Sequence, residues 1–189
     1  MSRLLMVKRW SLAVFTVSRF APFCALALSA AAQTYDLPSQ IRLIQELMPG
    51  ATRCAVFYNP QNANLDEELA RVTQETGIMV VKTPVSSVRE ISAALRNIQQ
   101  YAVNFIYLLE DRIVTGSTGT RFVTKPSTKD KIPVFTTDPD SFKNDVFGQL
   151  FRGGSRWFIR INGRVVDKFD LQVPRDNDKF IVEQGGGPN

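Results

Sequence analysis

The run Asn59-Pro60-Gln61-Asn62-Ala63-Asn64 sets amide side chains directly after an apolar stretch, Cys54 to Tyr58. Amides both donate and accept hydrogen bonds, so their chemistry is recognition rather than bond making. Two more polar clusters follow apolar runs in the same way: Glu110-Asp111 after "VNFIYLL", and Thr136 to Ser141 ("TTDPDS") after "IPVF". A carboxylate at such a position can accept hydrogen bonds from the ammonium or hydroxyl of a small solute. The plain alternative is turn and capping chemistry, since Asn and Pro are turn formers and Asp138 precedes Pro139. Asp111 is less easily explained that way, because it ends an apolar strand; its plain alternative is a solvated acid on a loop.

Other chemistries are excluded by composition. The chain contains no histidine, which removes His-based triads and His-ligated zinc. Of its two cysteines, Cys24 would leave with the N-terminal signal expected below, and Cys54 sits inside an apolar strand. One remaining thiol gives no disulfide framework, and burial makes it inert. Asp66, Glu67 and Glu68 open a helix, where the dipole favours acids without any acid–base role. The expectation is therefore no catalytic residue, no metal and no cofactor.

Residues 1–32 have a basic start (Arg3, Lys8, Arg9), an apolar middle and the small-residue exit "ALALSAAAQ". These are the marks of a secretory signal cleaved after Ala32, with an inner-membrane anchor as the alternative. The chain carries 23 Lys and Arg against 18 Asp and Glu. Four of those bases (Arg3, Lys8, Arg9, Arg19) lie in the leader, so the remainder is nearly balanced. Nucleic acid is thus not an expected partner, because such binding leans on clustered bases.

Positioning the polar clusters requires alternating elements. Helical spacing of Ile41, Ile44 and Leu47 predicts a helix from Leu37 to Met48, ended by Pro49-Gly50. A strand at Arg53–Tyr58 follows, then a helix capped by Asn64 with Glu67 and closed by Gly77. "IMVVKTPV" reads as a second strand, and Ser87 with Glu90 as a capping box for a helix striped by Ile91, Ala94, Leu95 and Ile98. After the third strand, a helix over Thr118–Lys131 should kink or break at Pro126. A fourth strand, "IPVFTT", precedes a short helix starting at Pro139; "RWFIRIN" reads as a strand, "GRVVDKF" as one or two helical turns and "FIVE" as an edge strand. The fold class is α/β: three layers, a mainly parallel sheet with helices on both faces. Ligands of such sheets gather at the carboxyl ends of the strands, where all three polar clusters fall.

In order along the chain, these segments resemble the periplasmic substrate-binding proteins of ABC importers of the tryptophan/tyrosine type. "IRLIQELMPGATRCAVFYNPQNAN" is similar to that family's lobe-opening helix, strand and Asn-Pro loop, and "TPVSSVREISAALRNI" to its next helix. "IYLLED" is similar to the strand ending in the family's Thr-Asp pair, "KIPVFTTDPDSFK" to its Ile-Pro-Val-Phe strand with a Ser-Asp loop, and "INGRVVDKFDLQVP" to its ending. The resemblance covers residues 37 to 174 and implies a type I periplasmic-binding-protein-like lobe with flavodoxin-like layering. It implies that Asn59, Asn64, Asp111 and Asp138 face a ligand.

Departures from the family pattern shape the rest of the expectation. The leader runs almost directly into the second lobe's opening helix, so residues 33–183 are expected as a single lobe, with 184–189 as a flexible tail. Leu65 stands where the family has a serine, and Asp145 where it has a glycine. Only "FRGGS" separates "VFGQL" from "RWFIRIN", where the family has a tyrosine-containing segment and a long helix. A single lobe offers one open face, so solute binding should be weak, and the lost helix should leave apolar sheet surface for a partner.

The expected function is an exported, non-catalytic, single-lobe relative in small-solute uptake or sensing, amino acids included. Its partner would be a permease, a receptor or a second lobe, with a homo-oligomer as a further arrangement. One rival is a flavodoxin-like enzyme using Asp111 and "TGSTGT" (residues 115–120), a loop resembling the flavin-phosphate cradle of flavodoxins. Flavodoxins carry that loop after the first strand, whereas here it follows the third, which favours a capping loop. The other rival is a degenerate lobe with a purely structural or regulatory role.

Overall fold

A computed structural model describes residues 36–61, 65–174 and 176–183. The segments expected as a signal (1–32) and a tail (184–189), together with Asn64, lie outside the described residues. Within the described residues, four helices and seven strands follow one another in the order α1 (Leu37–Leu47), β1 (Arg53–Tyr58), α2 (Leu65–Thr76), β2 (Met79–Pro84), α3 (Val88–Gln99), β3 (Phe105–Leu108), α4 (Ser117–Lys129), β4 (Val134–Thr136), β5 (Gly148–Gly153), β6 (Arg156–Asn162) and β7 (Phe180–Glu183). Short 3-10 turns at Asp140–Asn144 and Val166–Lys168 complete the path.

All seven strands join one sheet in the order β2-β1-β3-β4-β5-β6-β7. Neighbours from β2 to β5 are parallel, β5 and β6 form an antiparallel hairpin, and β7 runs parallel to β6 along the outer edge. Successive strand residues point to opposite faces, and the sequence fills both. Cys54, Val56, Phe105, Tyr107 and Phe135 meet α1 and α2 on one side. Ala55, Phe57, Ile106, Leu108 and Val134 meet α3 and α4 on the other. The mainly parallel, three-layer α/β architecture is the one expected.

An edge-to-face ladder of Phe105, Phe135, Phe147 and Phe169, with ring centroids 5.8, 5.5 and 5.0 Å apart, runs across the first side. Such pairs add about 0.5–1.5 kcal/mol each beyond the area they bury. The buried Tyr107 hydroxyl donates to Gln40 of α1, which satisfies both polar groups inside this layer. Cys54 is fully buried, and desolvation pushes its thiol up to about 12.

Local signals resolve as follows. Gly77 closes α2 in the left-handed conformation at φ 74°, where glycine carries no Cβ penalty. The Ser87–Glu90 pair works differently from a standard capping box. Glu90 accepts the Ser86 amide at 2.8 Å and the Ser87 hydroxyl at 3.1 Å, so the carboxylate holds both and the serine leaves the helix amides alone. The expected break at Pro126 does not occur: α4 runs through it to Lys129. Proline lies in the last turn, where it removes one hydrogen bond, and Val123, Thr124 and Ser127 anchor the helix by burial. Among the described residues no helix is long and apolar enough to cross a membrane.

The two sides of β5–β7 differ. Leu150, Ile159, Ile161 and Phe180 belong to the α1/α2 core. On the opposite side Phe151 and Phe158 are half-buried and stacked at 5.5 Å, and Ile181 is 43% exposed. This is the apolar sheet surface expected from the short "FRGGS" connection.

Candidate functional site

The parallel strands point their carboxyl ends at one rim, and the polar clusters collect there. Asn59 leaves β1, Glu110 and Asp111 follow β3, and Thr137 and Asp138 follow β4. Because β5 starts where β4 ends, pairing Thr136 with Gln149, the second residue of β5 also reaches this level. The β5–β6 hairpin then continues past the rim as a wall. Its Trp157 indole donates to Asp36 at the start of α1 at 3.0 Å.

Asn59 and Asp111 meet. The Asn59 amide donates to Asp111 Oδ2 at 3.3 Å, while its Oδ1 accepts the Gln61 amide N–H at 3.0 Å. Asp111 Oδ1 accepts the Ile113 amide at 2.7 Å, which turns the loop back on itself. Thr115 reinforces the turn, its hydroxyl donating to the Asp111 carbonyl at 2.9 Å. Asp138 is anchored in a similar way. Its Oδ1 accepts the Asp140 amide at 2.9 Å, and the Ser141 hydroxyl lies 2.8 Å from its Oδ2. That hydroxyl is also 2.8 Å from the Thr115 carbonyl, so the buried Ser141 fastens the β4 loop to the β3 loop. Its single proton serves one acceptor at a time.

Three of the four residues expected to face a ligand are thus gathered on one rim; Asn64 lies outside the described residues. Asn59, Asp111 and Asp138 are each half-buried and bonded to their own loops, which fixes their orientation. A carboxylate offers about four lone-pair sites, so each acid keeps acceptor capacity toward solvent.

Sequence reasoning missed Gln149. It is 4% exposed, donates to the Thr137 carbonyl at 3.2 Å, and holds Oε1 buried without a partner. An orphaned buried acceptor costs about 1–3 kcal/mol, so an amide here is at odds with stability alone. The available signal was the one polar residue in the apolar run "VFGQLF". Thr137 extends the row, its hydroxyl 3.4 Å from Glu110 Oε2. With Glu110, Asp111, Asp138 and Asp140, the rim is rich in acceptors.

Two departures from the family pattern have physical outcomes. Leu65 packs into the α1/α2 core, so this position offers no hydroxyl to a ligand. Asp145 adopts the left-handed conformation (φ 59°, ψ 26°), the backbone for which glycine is the usual residue. The glycines of "TGSTGT" also have a backbone reason. A Cβ on Gly116 would lie 2.4 Å from the Arg112 carbonyl oxygen, and one on Gly119 2.0 Å from that of Ile113. Close chain approach therefore accounts for both without a phosphate.

Several solved structures share this fold. A conserved domain protein from Vibrio cholerae superposes with a TM-score of 0.64 at 18% identity, over 74% of this chain and 57% of its own. An ABC domain from Streptococcus pneumoniae in complex with L-Trp gives 0.62 at 14% identity, over 76% and 62%. A ligand-free, open substrate-binding protein with adhesive properties from Clostridium difficile gives 0.63 at 15%, over 76% and 58%. The chain therefore spans less than two thirds of the length of each. No curated protein matches it. Residues 31–147, more than half of the chain, match the family described as ABC transporter substrate binding protein. The chain belongs to the ABC transporter substrate binding protein family.

Proposed function

We propose that this protein is an exported, non-catalytic solute-binding lobe, whose carboxyl-end rim takes a small amine-bearing solute, amino acids included. The observation that carries this reading is the convergence of Asn59, Asp111 and Asp138 on one rim, with the Asn59–Asp111 contact at 3.3 Å. A row of carboxylates and amide oxygens accepts hydrogen bonds, so its natural guest is a donor such as an ammonium group. Family membership supports a solute role, and the L-Trp bound by the Streptococcus pneumoniae neighbour gives an example of an amino-acid ligand in this fold.

One rim alone leaves a solute exposed to competing water, so affinity for the lone chain is weak. A second wall from a permease, a receptor or another lobe would complete the cleft. The exposed Ile181 and Val182, with the partly buried Phe151–Phe158 pair, suit such a docked partner. A thermal-shift screen against amino acids and short aliphatic amines tests the reading. At least one amine should raise the melting temperature, and Asp111→Ala should abolish the shift. A shift that persists in Asp111→Ala removes this acid from the site.

A further inference from the structure

A cavity of about 320 Å³ lies between the later turns of α3 and the middle and end of α4, away from the rim. Its floor is apolar: Leu95, Ile98, Ile106, Ile132 and the half-exposed ring of Phe122. Its edge carries three cations, Arg96, Arg121 and Lys125, against one acid, Asp130. Arg121 is oriented by Asn144, whose Oδ1 accepts from its Nε at 3.0 Å, while Arg96 and Lys125 stand exposed on the facing helices. An oily floor ringed by excess positive charge matches a ligand with an apolar body and one negative head. The volume is at the small end of the range for small-molecule sites.

We infer that this α3–α4 cavity is a second binding site, distinct from the rim, for a small amphipathic carboxylate of the medium-chain fatty-acid class. The chain would lie over Leu95, Ile132 and Phe122, with the buried Ile98 and Ile106 beneath them, and the carboxylate would take charge-assisted bonds from Arg96 and Lys125. The rim offers the opposite chemistry, acceptors for an amine. One protein would therefore meet two ligand classes at two separate places.

Calorimetric titration with decanoate below its micelle concentration, with decanol as the uncharged control, tests this. Decanoate should bind saturably, and more tightly than decanol. Arg96→Gln combined with Lys125→Gln should weaken decanoate by roughly fivefold or more, the scale of two partly exposed ion contacts, and leave decanol unchanged. Both substitutions sit on exposed helix faces and keep good helix formers. Leu95→Trp, which fills the cavity, should abolish binding of both probes, whereas Asp111→Ala should leave decanoate binding intact. No saturable decanoate binding, equal binding of decanol, or indifference to the double substitution or to Leu95→Trp would overturn the assignment. Loss in Asp111→Ala would place decanoate at the rim instead.

Discussion

The strands β1, β3 and β4 bury both faces between helix layers, whereas β5–β7 bury one face and leave Phe151, Phe158 and Ile181 on the other. The first half is therefore held by packing on both faces, and the second keeps apolar side chains such as Ile181 at the surface. The proposed solute site divides along the same line. The rim is held by loops of the covered half, while the wall beside it comes from the half-covered hairpin.

Single substitutions probe that contrast. Phe135→Ala, in the middle of the aromatic ladder, should cost about 3–5 kcal/mol in chemical denaturation. Phe151→Ala, on the open side, should cost less, about 1–2 kcal/mol, because its ring is only partly buried, between Phe158 and Arg160. Equal losses would erase the distinction between the halves.

Cys54 tests the dryness of the covered half by pH. Its thiol pKa is raised from 9.0 to about 12 in the folded state, so the unfolded chain releases this proton first. Its contribution is complete below pH 9 and declines as pH climbs toward 12, at roughly 1.4 kcal/mol per pH unit. Urea melts of wild type and Cys54→Ala across that window should differ in slope. Identical slopes would mean that water reaches the thiol.

Gln149→Leu sharpens the comparison at the junction of the halves. Replacing the orphaned amide should raise stability by about 1 kcal/mol and reduce any amine-induced thermal shift. A loss of stability would show that Oε1 is satisfied in solution and carries no cost. The smallest effect belongs to Asp145→Gly, which should add about 0.5 kcal/mol by relieving the left-handed backbone before β5.

The covered half was legible in the sequence because its periodicity is unambiguous. Apolar runs such as Cys54–Tyr58 fill both sheet faces, and stripes such as Ile91–Ala94–Ile98 fill one helix side. The far half was less legible, since its one-sided strands mix Arg152, Arg156 and Arg160 with aromatic residues. Tertiary contacts supply what local pattern could not: Arg160 lies over Phe151 at 5.3 Å and pairs with Glu183 at 3.0 Å. At the rim, strand ends placed the clusters holding Asn59, Asp111 and Asp138 on one edge, and the family resemblance singled out these residues, with Asn64, within them. Gln149 escaped notice because only the offset between β4 and β5 brings it to that level. Pro126 misled for a similar reason: propensity weighed the proline, and burial of its neighbours outweighed it.

An amide NMR titration of the full chain with a pool of amino acids and short amines tests the central claim most directly. The Ile113 and Asp140 amides, which Asp111 and Asp138 hold, should shift together and saturably on addition of an amine. Silence at both, with shifts elsewhere or none at all, would contradict a solute site on this rim.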